Sequence, residues 1–273
     1  MRIKDNLKNL LLEILPPFAL KLTYLFGLKS YIWCGNFNNW QDAKSKSAGY
    51  DDSVILEKVK NAALRVKNGE AVYERDSVIL EKIEYSWPLV AALMFASANK
   101  GGKLDIVDYG GSLGSVYFQV RKFLVNLRIK WGIVEQENFV ECGRKNFEDE
   151  RLKFYYSLDE CLKHQDADLA LLSGVLQCVE RPYELLEELM DKNFNYLVFD
   201  RTTFNKIDKD RLSVLKVSPK IYPASYPWWF LNEPKFKKIL SRKYILTESF
   251  FSFENRDGLT PVFKGFIYKL KSK

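Results

Sequence analysis

From about residue 103 onward the chain alternates short apolar runs with segments of helical spacing, the pattern of strands buried on both faces and joined by crossover helices. The runs at 104–109, 130–134, 153–156, 168–174 and 195–201 predict five strands of a parallel α/β sheet. The stretch SVYFQVRKFLVN predicts a helix after the first of them, and Pro182 opens another after the fourth. YILTESFFSF and TPVFKGFIYKL, separated by a turn through residues 255–258, predict a final antiparallel hairpin.

The first hundred residues follow a different rhythm and read as a mostly helical, aromatic-containing extension, residues 1–98, ahead of a domain covering 99–273. DSVILEK occurs twice, at 52–58 and 76–82, and the Asp-Ser start of each copy offers N-cap oxygens, so two similar helices are expected. Between the opening segment and this pair, YIWCGNFNNWQDA interleaves Trp33, Phe37 and Trp40 with Gly and Asn, as in a loop that folds over a site. The opening segment itself, residues 1–28, is strongly apolar but is interrupted by Glu13, Pro16, Pro17 and Lys21 before it reaches a spanning length. It is expected either to pack on the domain or to lie in the plane of a membrane surface, with Lys4, Lys8 and Lys21 at the flanks.

Composition narrows the classes. A chain of 273 residues with 47% hydrophobic content can bury a real core. Four cysteines without a CxxC pair predict neither a disulfide framework nor a zinc site, and point to a reducing, cytoplasmic setting, with peripheral contact at the inner membrane face through residues 1–28 as a possible addition. The single histidine, His164, lies in a polar stretch and rules out a multi-histidine metal site; no metal is expected. A formal charge of +7 favours anionic partners, yet no Lys/Arg run forms a nucleic-acid arm, so no nucleic-acid partner is expected.

The candidate chemistry begins at LDIVDYGGSLGS, where a buried strand enters Asp108 and then breaks into Gly110, Gly111 and Gly114. Glycines before a helix let backbone N–H groups approach a nucleotide-like ligand closely. The second strand ends at Glu135 and Gln136, where an acid can accept both hydroxyls of a ribose. Ser173 and Gly174 close the fourth strand. Asp200 and Arg201 end the fifth, at the carboxyl edge where ligands of open α/β sheets bind. Asp200 is the first candidate for a base, Arg201 for holding a phosphate or carboxylate or for neutralising Asp200, and His164 is the runner-up base. Trp33, Trp40 and the aromatic segment 222–230 are candidates for stacking on a sugar ring, although such large rings more often belong to cores.

The succession VDYGGSLG, IVEQ, ADLALLSGVLQCVERPYELL and YLVFDR resembles class I S-adenosylmethionine-dependent methyltransferases. With YIWCGNFNNW upstream and a closing FKGFIYKL, the chain from Tyr31 onward resembles more narrowly a family of methyltransferases from bacterial surface-polysaccharide (capsule and O-antigen) gene clusters. The resemblance implies a Rossmann-like, mainly parallel seven-stranded sheet with a C-terminal antiparallel hairpin, and S-adenosylmethionine as cofactor. It places Asp108, Tyr109, Gly110, Gly111 and Gly114 at the methionine half, Glu135 and Gln136 at the ribose, Ser157 and Leu158 beside the adenine, and Ser173, Gly174 and Val175 on the floor toward the acceptor. Ser112 stands where the loop's middle glycine belongs, and Ser157 where an acid often meets the adenine. The implied acceptor is a small molecule or glycan precursor. The alternatives are a catalytically silent cofactor-binding adaptor of the same fold and an NAD-dependent sugar dehydrogenase or epimerase.

Overall fold

Seven strands form the central sheet in the computed structural model, which describes residues 31–48, 52–75, 77–166, 168–218, 221, 224–253 and 262–272. The expectations for residues 1–28 and for the turn at 255–258 lie outside these residues. The strands of this sheet are β4 (Lys103–Tyr109), β5 (Arg128–Val134), β6 (Leu152–Tyr155), β7 (Leu169–Ser173), β8 (Tyr196–Phe204), β11 (Tyr244–Phe251) and β12 (Val262–Leu270), in the order β11-β12-β8-β7-β4-β5-β6. Strands β4 to β8 pair in parallel, while β12 runs antiparallel between β8 and β11. This is the Rossmann-like class I methyltransferase topology implied by the sequence, with the C-terminal hairpin inserted at one end.

The parallel strands are largely apolar because helices cover both faces. Leu104, Ile106, Trp131, Ile133, Leu169 and Val198 point to one face, together with α2 (Asp52–Lys67), α3 (Trp87–Ala98), α4 (Ser115–Val120) and α5 (Glu137–Asn146). Val107, Val134, Ala170, Leu172, Leu197 and Phe199 point to the other, against α6 (Leu158–His164), α7 (Pro182–Asp191) and α8 (Glu233–Leu240). No helix among the described residues is long and apolar enough to cross a membrane.

Two expectations for the N-terminal part are corrected. YIWCGNF is not a loop but a strand, β1 (Tyr31–Phe37), and a short helix, α1 (Trp40–Ser45), follows it. Strand β1 pairs antiparallel with β9 (Arg211–Val217), and β9 pairs with β10 (Ser225–Phe230), giving a separate three-stranded sheet. The two copies of DSVILEK adopt different structures. The first opens α2, because the residues after it continue the helical period, with Ile55, Val59, Ala62, Ala63 and Val66 all buried. The second contributes β3 (Val78–Leu80), paired antiparallel with β2 (Tyr73–Arg75). There Ser77 takes a left-handed φ of 68° at the turn, and Pro88 starts a new helix too soon for the apolar period to repeat. The described residues before β4 thus contain strands β1, β2 and β3 beside the helices α1, α2 and α3.

Candidate functional site

The strand order reverses at β4, whose neighbours are β5 on one side and β7 on the other. Crossovers leaving β4 and β7 go to opposite faces, so a crevice opens at their carboxyl ends. Four positive-φ residues occur in the loops that line it: Gly110 at 70°, Ser112 at 54°, Gly114 at 95° and Gly174 at 75°. Two of the glycines are required by space. A Cβ at Gly110 would stand 2.3 Å from the Val175 side chain, and one at Gly111 would stand 2.6 Å from the Asp108 carboxylate. The loops after β4 and β7 thus touch at the switch point, and the Asp108 side chain folds beneath the glycine turn.

Asp108 is buried, and Oδ2 accepts a 3.0 Å hydrogen bond from Trp131 Nε1 on the neighbouring strand. Its Oδ1 is equally buried and has no hydrogen-bond partner among the described residues. Burial pushes the Asp108 carboxyl up to about 7; the Trp131 bond works against this, and nearby Glu135 adds to it. Glu135 follows β5 and faces the same turn, with Oε1 accepting from Ser112 N at 3.2 Å and Oε2 from Gln136 N at 2.8 Å. Burial raises its pKa as well, while these two bonds lower it. Each carboxylate oxygen retains acceptor capacity beyond its one backbone bond. Ser112 explains how the loop manages without its middle glycine: a non-glycine residue held left-handed aims its N–H at Glu135.

The remaining cofactor candidates fall along the same edge. Tyr109 is half-buried, its phenol pushed up by burial and then by Glu188 and Glu135. Gln136 is the exposed N-cap residue of α5. Ser157 caps α6 by accepting from Glu160 N at 3.1 Å, and Leu158 behind it is buried. Ser173 ends β7, and Gly174 N donates to Asp200 O at 3.0 Å, tying the edge of β7 to that of β8.

Asp200 and Arg201 form a β-bulge. Phe199 pairs with Phe266 and Thr202 with Lys264, so both residues oppose the single residue Gly265. Arg201 is left-handed at φ 55°, and its N–H is shared between Asp200 Oδ1 at 2.9 Å and Ser252 Oγ at 3.0 Å. Ser252 Oγ also donates to Asp200 Oδ1 at 2.9 Å. The bulge brings the Arg201 guanidinium beside Gly174, 3.6 Å from where a Cβ there would lie. His164 is not brought to this edge. It ends α6, whose start is at the carboxyl edge and whose end leads into the amino end of β7, and its ring stacks on Tyr155 with Nδ1 2.9 Å from Glu160 O.

Several residues of the edge were not singled out from the sequence. Trp131 alternates inward along β5, a period that marks it as core and gives no hint of its bond to Asp108. Gln177 is buried, and its Nε2 donates to both Gly174 O and Arg201 O at 3.0 Å. Tyr73, Glu74 and Arg75 form β2, just ahead of the second helix expected at 76–82; Glu74 bonds Ser115 at the start of α4, and Arg75 bonds the Tyr73 hydroxyl at 3.1 Å.

No family model matches the chain, and no curated protein matches it. Solved structures do. A Burkholderia thailandensis 1,6-didemethyltoxoflavin-N1-methyltransferase, bound to 1,6-didemethyltoxoflavin and S-adenosylhomocysteine, is 14% identical over 83% of this chain and 95% of its own, with a TM-score of 0.43. The N-terminal domain of EvdMO1, studied in the presence of S-adenosylhomocysteine and D-fucose, is 14% identical over 82% of this chain and 98% of its own, at 0.46. A Clostridium acetobutylicum S-adenosylmethionine-dependent methyltransferase is 9% identical over 69% of this chain and 93% of its own, also at 0.46. A likeness of this degree assigns no role to any residue.

Proposed function

We propose that this chain is an S-adenosylmethionine-dependent methyltransferase whose acceptor is a sugar or glycan precursor of a bacterial surface polysaccharide. The observation that carries the methyltransferase reading is the pairing of Asp108, its buried Oδ1 without a partner among the described residues beneath a glycine turn, with Glu135, whose carboxylate is oriented by Ser112 N and Gln136 N. A buried carboxylate oxygen without a donor is costly, and the ammonium of the cofactor's methionine half is a donor of matching charge. The acceptor class is taken from the sequence resemblance.

In this reading Asp108, Tyr109 and the turn Gly110, Gly111 and Gly114 hold the methionine half, and Glu135 takes the ribose hydroxyls on its remaining lone pairs. Gln136, Ser157 and Leu158 border the adenine. Ser173, Gly174 and Val175 form the floor. When bound, S-adenosylmethionine supplies an electrophilic methyl group on a sulfonium. The protein's share is to align the acceptor oxygen or nitrogen, exclude water and let the acceptor proton leave. The donors already on Asp200 Oδ1 favour a holding role for this carboxylate, which locks the Arg201 backbone so that the guanidinium faces the edge. Arg201 then orients the acceptor. A cytoplasmic setting, with peripheral membrane contact through residues 1–28, belongs to the same proposal.

Calorimetry with S-adenosylmethionine and S-adenosylhomocysteine tests the reading. Both are expected to bind, and Glu135→Ala is expected to weaken binding by about 1 to 3 kcal/mol through loss of charge-assisted hydrogen bonds. Absence of binding at millimolar cofactor refutes it, and saturable NADH binding in its place supports the dehydrogenase.

A further inference from the structure

Helix α3 has no charged residue in its twelve positions. A helix that is apolar all round is normally enclosed on all sides. This one is enclosed on one side only: Leu89, Val90, Ala92, Leu93 and Ala96 are buried where it packs on β4 and β8. The side turned outward carries Trp87, Ala91, Met94, Phe95 and Ala98, whose spacing makes them a single stripe, and all five are exposed. Trp87 is 60% exposed, Phe95 45% and Met94 39%.

The apolar surface continues past the start of the helix. Trp87 lies edge-on to Phe123 with centroids 5.7 Å apart, Tyr85 is 5.1 Å from both rings, and Val125 beyond them is 60% exposed. A stable dimer buries roughly 800 Å² on each partner. With about 150 to 250 Å² on an aromatic side chain, the exposed parts of Trp87, Met94, Phe95 and Val125 supply roughly half of that, and Tyr85, Phe123, the alanines and a polar rim surround them. The rim carries both signs: Lys82, Arg121 and Lys122 are exposed, and so is Glu81. An anionic bilayer calls for a rim of positive charge, whereas another protein surface of mixed sign does not. The stripe is also close to symmetric about Ala91. Trp87 stands four positions before it and Phe95 four after, so the three form one i±4 row with a notch at its middle.

We propose that the outward stripe of α3 is the contact face of a homodimer, in which the helices of two copies pack antiparallel across a two-fold axis at Ala91. Such an axis sets Trp87 of each copy against Phe95 of the other, and the small Ala91 lets the backbones approach where the rows cross. A surface that meets its own copy needs no second complementary patch elsewhere on the chain. The inference does not depend on the methyltransferase reading, since none of the residues assigned to the cofactor lies on α3.

Sedimentation equilibrium of the full chain over about 1 to 100 μM tests it. The wild type is expected to approach the mass of two chains, with a dissociation constant of about 10 μM or tighter. Ala91→Glu and Ala91→Lys each put like charges on the axis and should weaken association by about tenfold or more. Their melting temperatures, measured where all proteins are monomeric, should stay near that of the wild type, because the position is exposed and both residues suit a helix. An equimolar mixture of the two variants should recover the dimer, since Glu then faces Lys across the axis. A wild type that stays monomeric throughout, an Ala91→Glu protein that associates as the wild type does, or a mixture no more dimeric than its components overturns the proposal. So does a monomeric wild type that sediments with phosphatidylglycerol vesicles and loses this in Ala91→Glu, which would make the stripe a membrane face.

Discussion

Replacing Asp108 by Asn should make stability less sensitive to rising pH while weakening cofactor binding. The Asp108 carboxyl is raised from 3.8 to about 7, chiefly by burial, so the native state keeps a proton that the unfolded chain has lost. Stability from this group is fully present below its unfolded value and is lost as pH rises through about 7. Between about pH 5 and pH 8 the wild type should lose roughly 2 to 3 kcal/mol from this residue, at about 1.4 kcal/mol per unit over the two units in which only the native state holds the proton. Glu135, also raised by burial, adds to the same trend in both proteins. Asn retains an oxygen for Trp131 Nε1 and does not titrate. Urea unfolding at pH 5 and pH 8 then gives the result as a difference: the stability of Asp108→Asn relative to the wild type should rise by about 2 to 3 kcal/mol from pH 5 to pH 8. The same variant should bind S-adenosylmethionine more weakly, because its amide offers no counter-charge to an ammonium. An identical pH dependence in the two proteins refutes the account of Asp108 as a buried, proton-holding carboxyl.

Gly110→Ala should destabilise by more than about 2 kcal/mol and abolish cofactor binding, since the new Cβ meets Val175 and the left-handed backbone disfavours it; an unchanged melting curve contradicts this. Ser112→Gly should leave stability unchanged or raise it by up to about 1 kcal/mol by relieving the left-handed serine, and a clear fall in thermal melting is the opposing result. Asp200→Asn and Ser252→Ala should each lower stability by about 1 to 3 kcal/mol, with activity falling in step, because both loosen the Arg201 bulge; a roughly 100-fold loss of turnover in Asp200→Asn at unchanged melting temperature would instead make Asp200 the base.

The parallel strands were legible because they are largely buried, so each reads as a mainly apolar run between turn residues, and the observed ends differ from the expected ones by only a few residues. The three-stranded sheet was not, for two reasons visible in particular residues. In β1 the alternation of Tyr31 and Trp33 is followed by Gly35 and Asn36, turn-forming types that here occupy a register shift between Cys34 and Phe37. In β10 the run SYPWWF is apolar on both sides, since Trp228 faces the main core while Trp229 reaches α1 and the opposite core, and it contains Pro227; nothing in it alternates. The second DSVILEK shows the limit from the other side. The same Val-Ile-Leu forms helix in the first copy and strand in the second according to what continues the apolar period, and that decision lies outside the repeated run.

For the site, residue types at strand ends were readable and their partners were not. Asp108, Glu135 and Asp200 were found because each interrupts an apolar run where a parallel strand must end. That Trp131 binds the first, Ser112 N the second and Ser252 the third depends on contacts across 23, 23 and 52 positions of sequence, which no local pattern encodes. Left-handed residues and buried polar atoms without a hydrogen bond also occur elsewhere, as at Ser77, Asn193 and Asp105, but three such places fall at this edge: Ser112 and Arg201 are left-handed, and Asp108 Oδ1 is buried without a donor among the described residues. Each costs stability on its own, and each is held by backbone hydrogen bonds or tight packing from a neighbouring strand or loop. The physical reason to look for chemistry at this edge is the switch point itself, where both crossovers leave room for a ligand and the left-handed turn meets the Asp108 and Glu135 carboxylates.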